Sequence, residues 1–368
     1  MYYLDNSSTT KVKYDTVLKI TPYFHTRYLN PNSANLNSAK ILKEIQRVRE
    51  QIALEINCEP DEIYFTSGGC ESNSWAINIL HNIFPYAITT SPIEHHSVLN
   101  ACETIFKGNV NYLSVDHFGR VNLNLLDEML TNSKECVSIM HGNNEIGTLQ
   151  ELFDIGMICK EHGTIFHTDA VQTFGHCKID VKGCNIAMLS ASGHKFGAPK
   201  GVGFLYIRND IPVTPLIFGG EQERGMRGGT TNVPGIIGMG EALRIPKTDN
   251  DAMLMYFDAS IKQKVSGCIE TGSPSYRVPN HLSYCIKNID SKTLVALLDE
   301  YGIVCSAGSA CNSGNSEPSY VLKALGISDD YINGAIRFTF GSDAYSIADI
   351  NYITDKIAEC VSILRKQN

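Results

Sequence analysis

Short apolar runs alternate with helix-period segments along most of the first two thirds of the chain, and this alternation restricts the fold more than any other feature. Runs at 62–66, 87–91, 110–114, 136–140, 164–167, 186–190 and 203–207 are each four or five residues long and read as buried strands. Between Leu36 and Ile56, the side chains of Ile41, Ile45, Val48 and Ile52 recur at helical spacing. The first run breaks at Ser67-Gly68-Gly69 and passes into a second helical pattern over 71–80. Strand and helix alternating in this way predict an α/β unit with a mostly parallel central sheet. Ligands of such sheets sit at the carboxyl ends of the strands, so the residues just after each run are where chemistry belongs.

A chain of 368 residues predicts two or three units. The composition turns polar at 246–251, and a boundary is expected there. Beyond it come a helix, short strands at 281–286 and 335–340, and a closing helix. Ser346 and Asp349 give that helix a capping-box start, and Ile350, Ile353, Ile357, Val361 and Leu364 give it an apolar stripe. The expected division is a large α/β domain over 14–248 and a small α+β domain formed by 1–13 with 249–368. A net charge of -8 with interspersed signs argues against nucleic acid or an anionic membrane as main partner. There is no run of eighteen apolar residues and no basic-then-apolar N-terminus, so no membrane span and a cytoplasmic location are expected. The 12 cysteines include no C-x-x-C pair, which predicts reduced thiols rather than disulfides or a zinc site, and no metal.

The run at 186–190 leads into Ser192-Gly-His-Lys195, and the run at 164–167 leads into Asp169-Ala-Val-Gln172. A lysine and an aspartate at the ends of two buried strands are what pyridoxal 5'-phosphate (PLP) needs. The lysine binds it covalently, and the aspartate keeps the pyridine nitrogen protonated. A surface lysine and a helix-capping aspartate are the plain alternatives for either residue alone. Gly68-Gly69 before a helix offers free amides for a phosphate, or simply a tight turn. Ser192 and His194 offer further donors, as does the loop Arg227-Gly-Gly-Thr230-Thr. His95 follows a strand and could stack on a planar ring, or be a helix-start histidine bonded to backbone. Asn144 and Gln172 could reach the cofactor's phenolic oxygen, while an ordinary turn accounts for Asn143 as well. Nearly every residue from 306 to 318 is small or polar, so this stretch cannot pack a core. Cys311 within it reads as a reactive thiol, whereas Cys305 continues an apolar run. Arg337 is a bidentate candidate for a substrate carboxylate, with a surface ion pair as the alternative.

These motifs closely resemble the cysteine desulfurases of the NifS/IscS type, class V enzymes of PLP fold type I. The resemblance runs from Y-L-D-N-S-S-T-T (3–10) to I-R-F-T-F-G (336–341). Between them stand T-S-G-G-C-E-S, E-H-H-S-V-L, N-N-E-I-G-T, H-T-D-A-V-Q, S-G-H-K, G-G-E-Q-E-R-G-M-R-G-G-T and G-S-A-C, in the family's order. It implies that Lys195 binds PLP covalently, Asp169 pairs with the pyridine nitrogen and His95 stacks on the ring. Gln172 and Asn144 would lie at the ring edge, and Gly69, Cys70, Ser192 and His194 would hold the phosphate. Thr230 would reach the phosphate of a neighbouring subunit, which implies a homodimer with shared active sites. Arg337, helped by Asn30, would grip the carboxylate of L-cysteine. Cys311 would take the sulfur as a persulfide, leaving L-alanine, and pass it to an acceptor protein for iron–sulfur cluster assembly or for tRNA or cofactor thiolation.

The chain departs from the family pattern at several places. Cys70 stands where a threonine is usual, the stretch 33–39 lacks the usual histidine and glycine, Ala198 replaces a glycine and Gly228 a serine. Competing expectations are a selenocysteine lyase or cysteine sulfinate desulfinase, an aminotransferase, and a non-enzymatic partner-binding descendant.

Overall fold

The computed structural model describes residues 1–245, 250–308 and 318–367. The boundary expected at 246–251 falls partly, and Cys311 wholly, outside the described residues. In chain order the strands are β1 (Tyr2–Tyr3), β2 (Ile63–Thr66), β3 (Ile88–Thr90), β4 (Val110–Tyr112), β5 (Cys136–Ser138), β6 (Phe166–Asp169), β7 (Met188–Ser192) and β8 (Gly203–Ile207). After them come β9 (Cys268–Glu270), β10 (His281–Ile286), β11 (Ile303–Val304), β12 (Ser306–Ala307) and β13 (Ala335–Thr339).

The central sheet has the order β2-β8-β7-β6-β5-β3-β4. From β7 to β4 all neighbours are parallel, as strand–helix alternation requires. The exception is β8, which runs antiparallel to both β7 and β2. The connection over 193–202 is too short for the helical crossover that parallel neighbours need. Two reversals cancel, so β2 again points the same way as β7. The glycine turn after β2 therefore reaches the same sheet edge as Asp169 and the lysine-bearing turn after β7.

The sheet is covered on both faces, which is why its strands, β4 apart, are buried throughout rather than alternating. One core joins Ile41, Ile45, Val48 and Ile52 of the helix Leu36–Ile56 to Phe166, Leu189 and Phe204. The other joins Trp75 and Leu80 of the helix Gly69–Ile83, and Val98 of the helix His96–Ile105, to Ile88, Met188 and Leu205. Asn35 caps the long helix at Ser38 N (2.9 Å), and Asn57 ends it in the left-handed region with φ 60°.

A second, antiparallel sheet has the order β12-β13-β10-β9. A third apolar cluster lies beside it, with Phe257, Leu282, Leu294, Phe338 and the whole predicted stripe from Ile350 to Leu364. The closing helix Ile347–Gln367 begins with the expected cap, for Ser346 N donates to Asp349 Oδ2 at 2.8 Å and Asp349 N to Ser346 Oγ at 3.2 Å. The N-terminal strand belongs to this region. β1 pairs with β11, and Leu4 is buried among the cluster's residues. From there residues 5–10 cross to the central sheet, where Thr10 N donates to His194 O at 2.9 Å. No described helix is long and apolar enough to cross a membrane.

Candidate active site

Asp169 ends β6 in register with Ser190 of β7, and Lys195 closes the short turn Gly193–Lys195 that follows β7. Two adjacent strand ends therefore deliver the acid and the amine to one cavity of about 340 Å³. His95, Asn144, Gln172, Gly69, Cys70, Ser192, His194 and Arg337 also line it. This volume is in the range of small-ligand sites.

Asp169 is 4% exposed, and both its oxygens are held. Oδ1 accepts from Val171 N at 2.9 Å and Oδ2 from Asn73 Nδ2 at 2.7 Å. These donors fix the orientation of the carboxylate, as a partner for a ring nitrogen requires. Lys195 Nζ donates to the backbone oxygens of Ser7 and Ser8, the latter at 3.0 Å. The N-terminal segment thus completes the pocket from the side of the second sheet.

His95 takes the plain reading its sequence position allowed, a helix-start histidine bonded to backbone, and it also lines the cavity. It is the N-cap of the helix His96–Ile105, and Ser97 N donates to its Nδ1 at 3.1 Å. That bond makes the neutral ring the Nε2–H tautomer. Burial holds its pKa below the ordinary value, with Lys195 and His96 acting the same way and Asp169 opposing. Next to it, Glu94 is completely buried, and its Oε1 accepts from Ser91 Oγ (2.6 Å) and Met140 N (2.9 Å). Burial pushes this carboxyl up to about 8.

The turn after β2 has the geometry that a phosphate cradle needs. Gly68 has φ 150° and ψ -171°, a conformation open essentially to glycine alone. A Cβ at Gly69 would come within 2.6 Å of Val171 Cγ2. Helix Gly69–Ile83 starts there, with first-turn amides that have no intrahelical acceptor. Exposed Cys70 sits in that first turn. His194, held down to about 4 by burial with help from Lys195 and Lys200, lies opposite with Nδ1 3.2 Å from Thr9 Oγ1.

Arg337, on β13, is 3% exposed. Its Nη2 donates to Asp5 Oδ1 (2.7 Å) and Ser8 Oγ (2.8 Å), and its Nη1 to Asn144 O, while Nε is buried without a hydrogen-bond partner among the described residues. The ion pair considered from sequence exists, but buried in the site rather than on the surface. Asn143 is a turn residue, its Oδ1 accepting from Glu145 N and Ile146 N. Asn144 lines the cavity with Oδ1 buried and no partner among the described residues.

Two expected residues do not meet the cavity within one chain. Asn30 is exposed in a turn, its Oδ1 accepting from Asn32 N at 3.0 Å. Thr230 is exposed on a loop fixed to the phosphate turn by the ion pair Arg227–Glu71, at 2.9 and 3.0 Å. Asp5, Ser7, Ser8, Asn73, Glu94 and Glu145 were not anticipated. Asn73 could have been found, because four residues after Gly69 on a helix it shares that residue's face. The others depend on chain crossings that no local pattern announces.

The cavity fits PLP on its own features. It offers a carboxylate held by two donors, an amine, a glycine turn at a helix start, and an amide oxygen at Asn144 that has no hydrogen-bond partner among the described residues. A family model for the class V aminotransferases matches residues 2–351. The chain is 40% identical over 378 residues to the cysteine desulfurase IscS of Methanosarcina thermophila, spanning 100% of this chain and 93% of that one. Among solved structures, a NifS-like protein superposes with a TM-score of 0.88 at 34% identity, covering 99% of this chain and all of that one. SspA in complex with cysteine superposes at 0.84 with 33% identity, covering 94% and 100%. The chain therefore belongs to the class V aminotransferase family and, within it, to the cysteine desulfurases.

Proposed function

We propose that the chain is a PLP-dependent cysteine desulfurase that converts L-cysteine to L-alanine and passes the sulfur, as a persulfide on Cys311, to an acceptor protein. The observation that carries this reading is the convergence of Lys195, Asp169, His95 and Arg337 on one cavity at the carboxyl edge of the sheet. PLP bound there supplies an electron sink conjugated to the substrate's α-carbon.

The chain's residues do the rest. Asp169, fixed by Val171 N and Asn73, would hold a proton on the ring nitrogen, and the helix start at Gly69–Cys70 with Ser192 and His194 would receive the phosphate. Arg337 binds the cysteine carboxylate. Lys195 Nζ, poised over Ser7 and Ser8, takes the proton from Cα. Neutral His95 covers the ring and can donate from Nε2. Cys311 thiolate attacks the substrate sulfur. The S–S bond forms as the Cβ–S bond breaks, the electron pair left on Cβ takes up a proton, and Lys195 returns a proton to Cα to give alanine.

Membership of a two-subunit assembly is part of the same proposal. Exposed Thr230, on a loop tied to the phosphate turn, is the residue that would complete a neighbour's phosphate site. The division into a large unit over 14–248 and a small unit of 1–13 with 249–368 is supported by the separate apolar clusters of the two sheets. The test is cysteine-dependent alanine and persulfide formation by the PLP-loaded protein, with wild type against Cys311→Ala. Loss of both products with an intact cofactor absorbance supports the proposal. Unchanged turnover in the variant would replace it with a lyase that releases sulfur or selenium directly.

A further inference from the structure

One carboxyl group of the cavity takes no part in the chemistry derived above. Glu145, in the stretch N-N-E-I-G after β5, lines the cavity with Arg337 and Lys195 and is 5% exposed. Its Oε2 accepts a hydrogen bond from Ser319 Oγ at 2.5 Å. Ser319 in turn caps the helix Tyr320–Ala324 through Leu322 N at 3.2 Å. On its other side, a methyl group added at Gly308 would stand 3.9 Å from the same Glu145 oxygen. Gly308 is itself fixed, donating from N to Ala335 O at 3.0 Å beside the β12–β13 pairing. Gly308 is the last described residue before the segment that carries Cys311, and Ser319 is the second after it. A single carboxyl oxygen is therefore hydrogen-bonded to one described end of that segment and stands near the other.

We infer that Glu145 is a positioning residue for sulfur transfer, setting through Ser319 where the described end that follows the Cys311 segment stands relative to the carboxylate subsite at Arg337. This rests on the desulfurase reading above. The physical reason is that a thiol on a chain tethered at both ends reacts at a rate governed by where the tethers hold it, and misplacement by an ångström can cost about a hundredfold. The charged and titratable groups around Glu145 are Arg337 with Asp5 behind it, Cys285 on β10, and Lys195, Asp169 and His95 in the same cavity. Burial pushes Glu145 up to about 7, against the Ser319 hydrogen bond and the Arg337 charge. An amide, which keeps an acceptor oxygen for Ser319, should therefore serve in its place.

The test is single-turnover persulfide formation on Cys311, read by intact-protein mass, in the full-length PLP-loaded protein. Ser319→Ala and Glu145→Ala are each expected to slow it about tenfold, with KM for cysteine and the cofactor absorbance unchanged. Glu145→Gln should restore most of the rate, and the double alanine variant should be no slower than either single one. Rates equal to wild type in Ser319→Ala would overturn the inference, and so would additive losses in the double variant. A rise in KM at unchanged rate would instead make Glu145 a substrate-binding group. Should Glu145→Ala not fold, the pair Ser319→Ala and Glu145→Gln decides alone. Absence of persulfide in the wild type is the separate outcome that removes the desulfurase reading itself.

Discussion

Asp5 and Arg337 stand 332 residues apart in sequence and form an ion pair of 2.7 Å in the wall of the active-site cavity. The arginine that would grip a substrate carboxylate is thus already neutralised by a carboxylate of the chain. A cysteine carboxylate bound through Arg337 Nη2 would share or displace this partner, which would make Asp5 a competitor for the proposed subsite.

Two substitutions separate competition from orientation. Arg337→Lys loses the planar fork and should raise KM for cysteine about tenfold or more. Asp5→Asn keeps an acceptor for Arg337 but removes the competing charge, so KM should fall by about two- to tenfold. Steady-state kinetics with cysteine reads both. If Asp5→Asn raised KM as Arg337→Lys does, the aspartate would be orienting the arginine instead.

Asp169→Asn should leave the fold intact and cripple the reaction. Its amide oxygen can still accept from Val171 N or Asn73, but the negative charge facing the ring nitrogen is gone. Loss of one charge-assisted hydrogen bond predicts a drop in kcat of at least ~10- to 100-fold. Circular dichroism unchanged from wild type together with that drop is the expected pair of results.

Cys70→Thr should tighten the cofactor. The position lies in the first turn of the helix Gly69–Ile83, proposed to receive the phosphate, and a hydroxyl is a better donor than a thiol. One added hydrogen bond of ~0.5–1.5 kcal/mol predicts a PLP dissociation constant about two- to tenfold lower. Fluorescence titration of the cofactor-free protein measures it, and no change would mean that backbone amides dominate the cradle.

Stability should decline on both sides of a mildly acidic optimum. Buried His141 and His167 stay neutral, held down to about 4 and about 3. Below their ordinary 6.5 the unfolded chain takes up protons that the folded one refuses, so stability is lost as pH falls from there. Glu94 acts in the opposite sense. Its folded pKa of about 8 lies above the ordinary 4.5, so its contribution is full below 4.5 and is lost as pH rises towards 8. Glu94→Gln keeps an oxygen for Ser91 and Met140 and should flatten the alkaline limb. Thermal unfolding at pH 8 should then shift upward by about 2–4 °C for each kcal/mol regained. An unaltered Tm profile would mean that Glu94 is ionised in the fold.

Much of this was legible in the primary structure because it is local. The helix Leu36–Ile56 announces itself by apolar spacing, the closing helix by Ser346 and Asp349, and each strand of the central sheet by a short, largely apolar run. Lys195 and Asp169 could be placed at strand ends for the same reason. Strand ends were less exact, β6 running on to Asp169 and β7 to Ser192, because a ladder continues as far as its neighbours offer partners.

What the amino-acid sequence determined by itself, then, was the set of elements and the reactive groups at their ends, since periodicity and turn chemistry act over a few residues. Tertiary structure alone decided the antiparallel course of β8, the crossing of Asp5, Ser7 and Ser8 to Arg337 and Lys195, and the position of Glu145 between Arg337 and Ser319. It also left Asn30 and Thr230 outside the cavity of their own chain. These relationships join residues up to hundreds of positions apart. They are fixed by which surfaces can be buried together, a free energy that belongs to the packed whole and to no single segment.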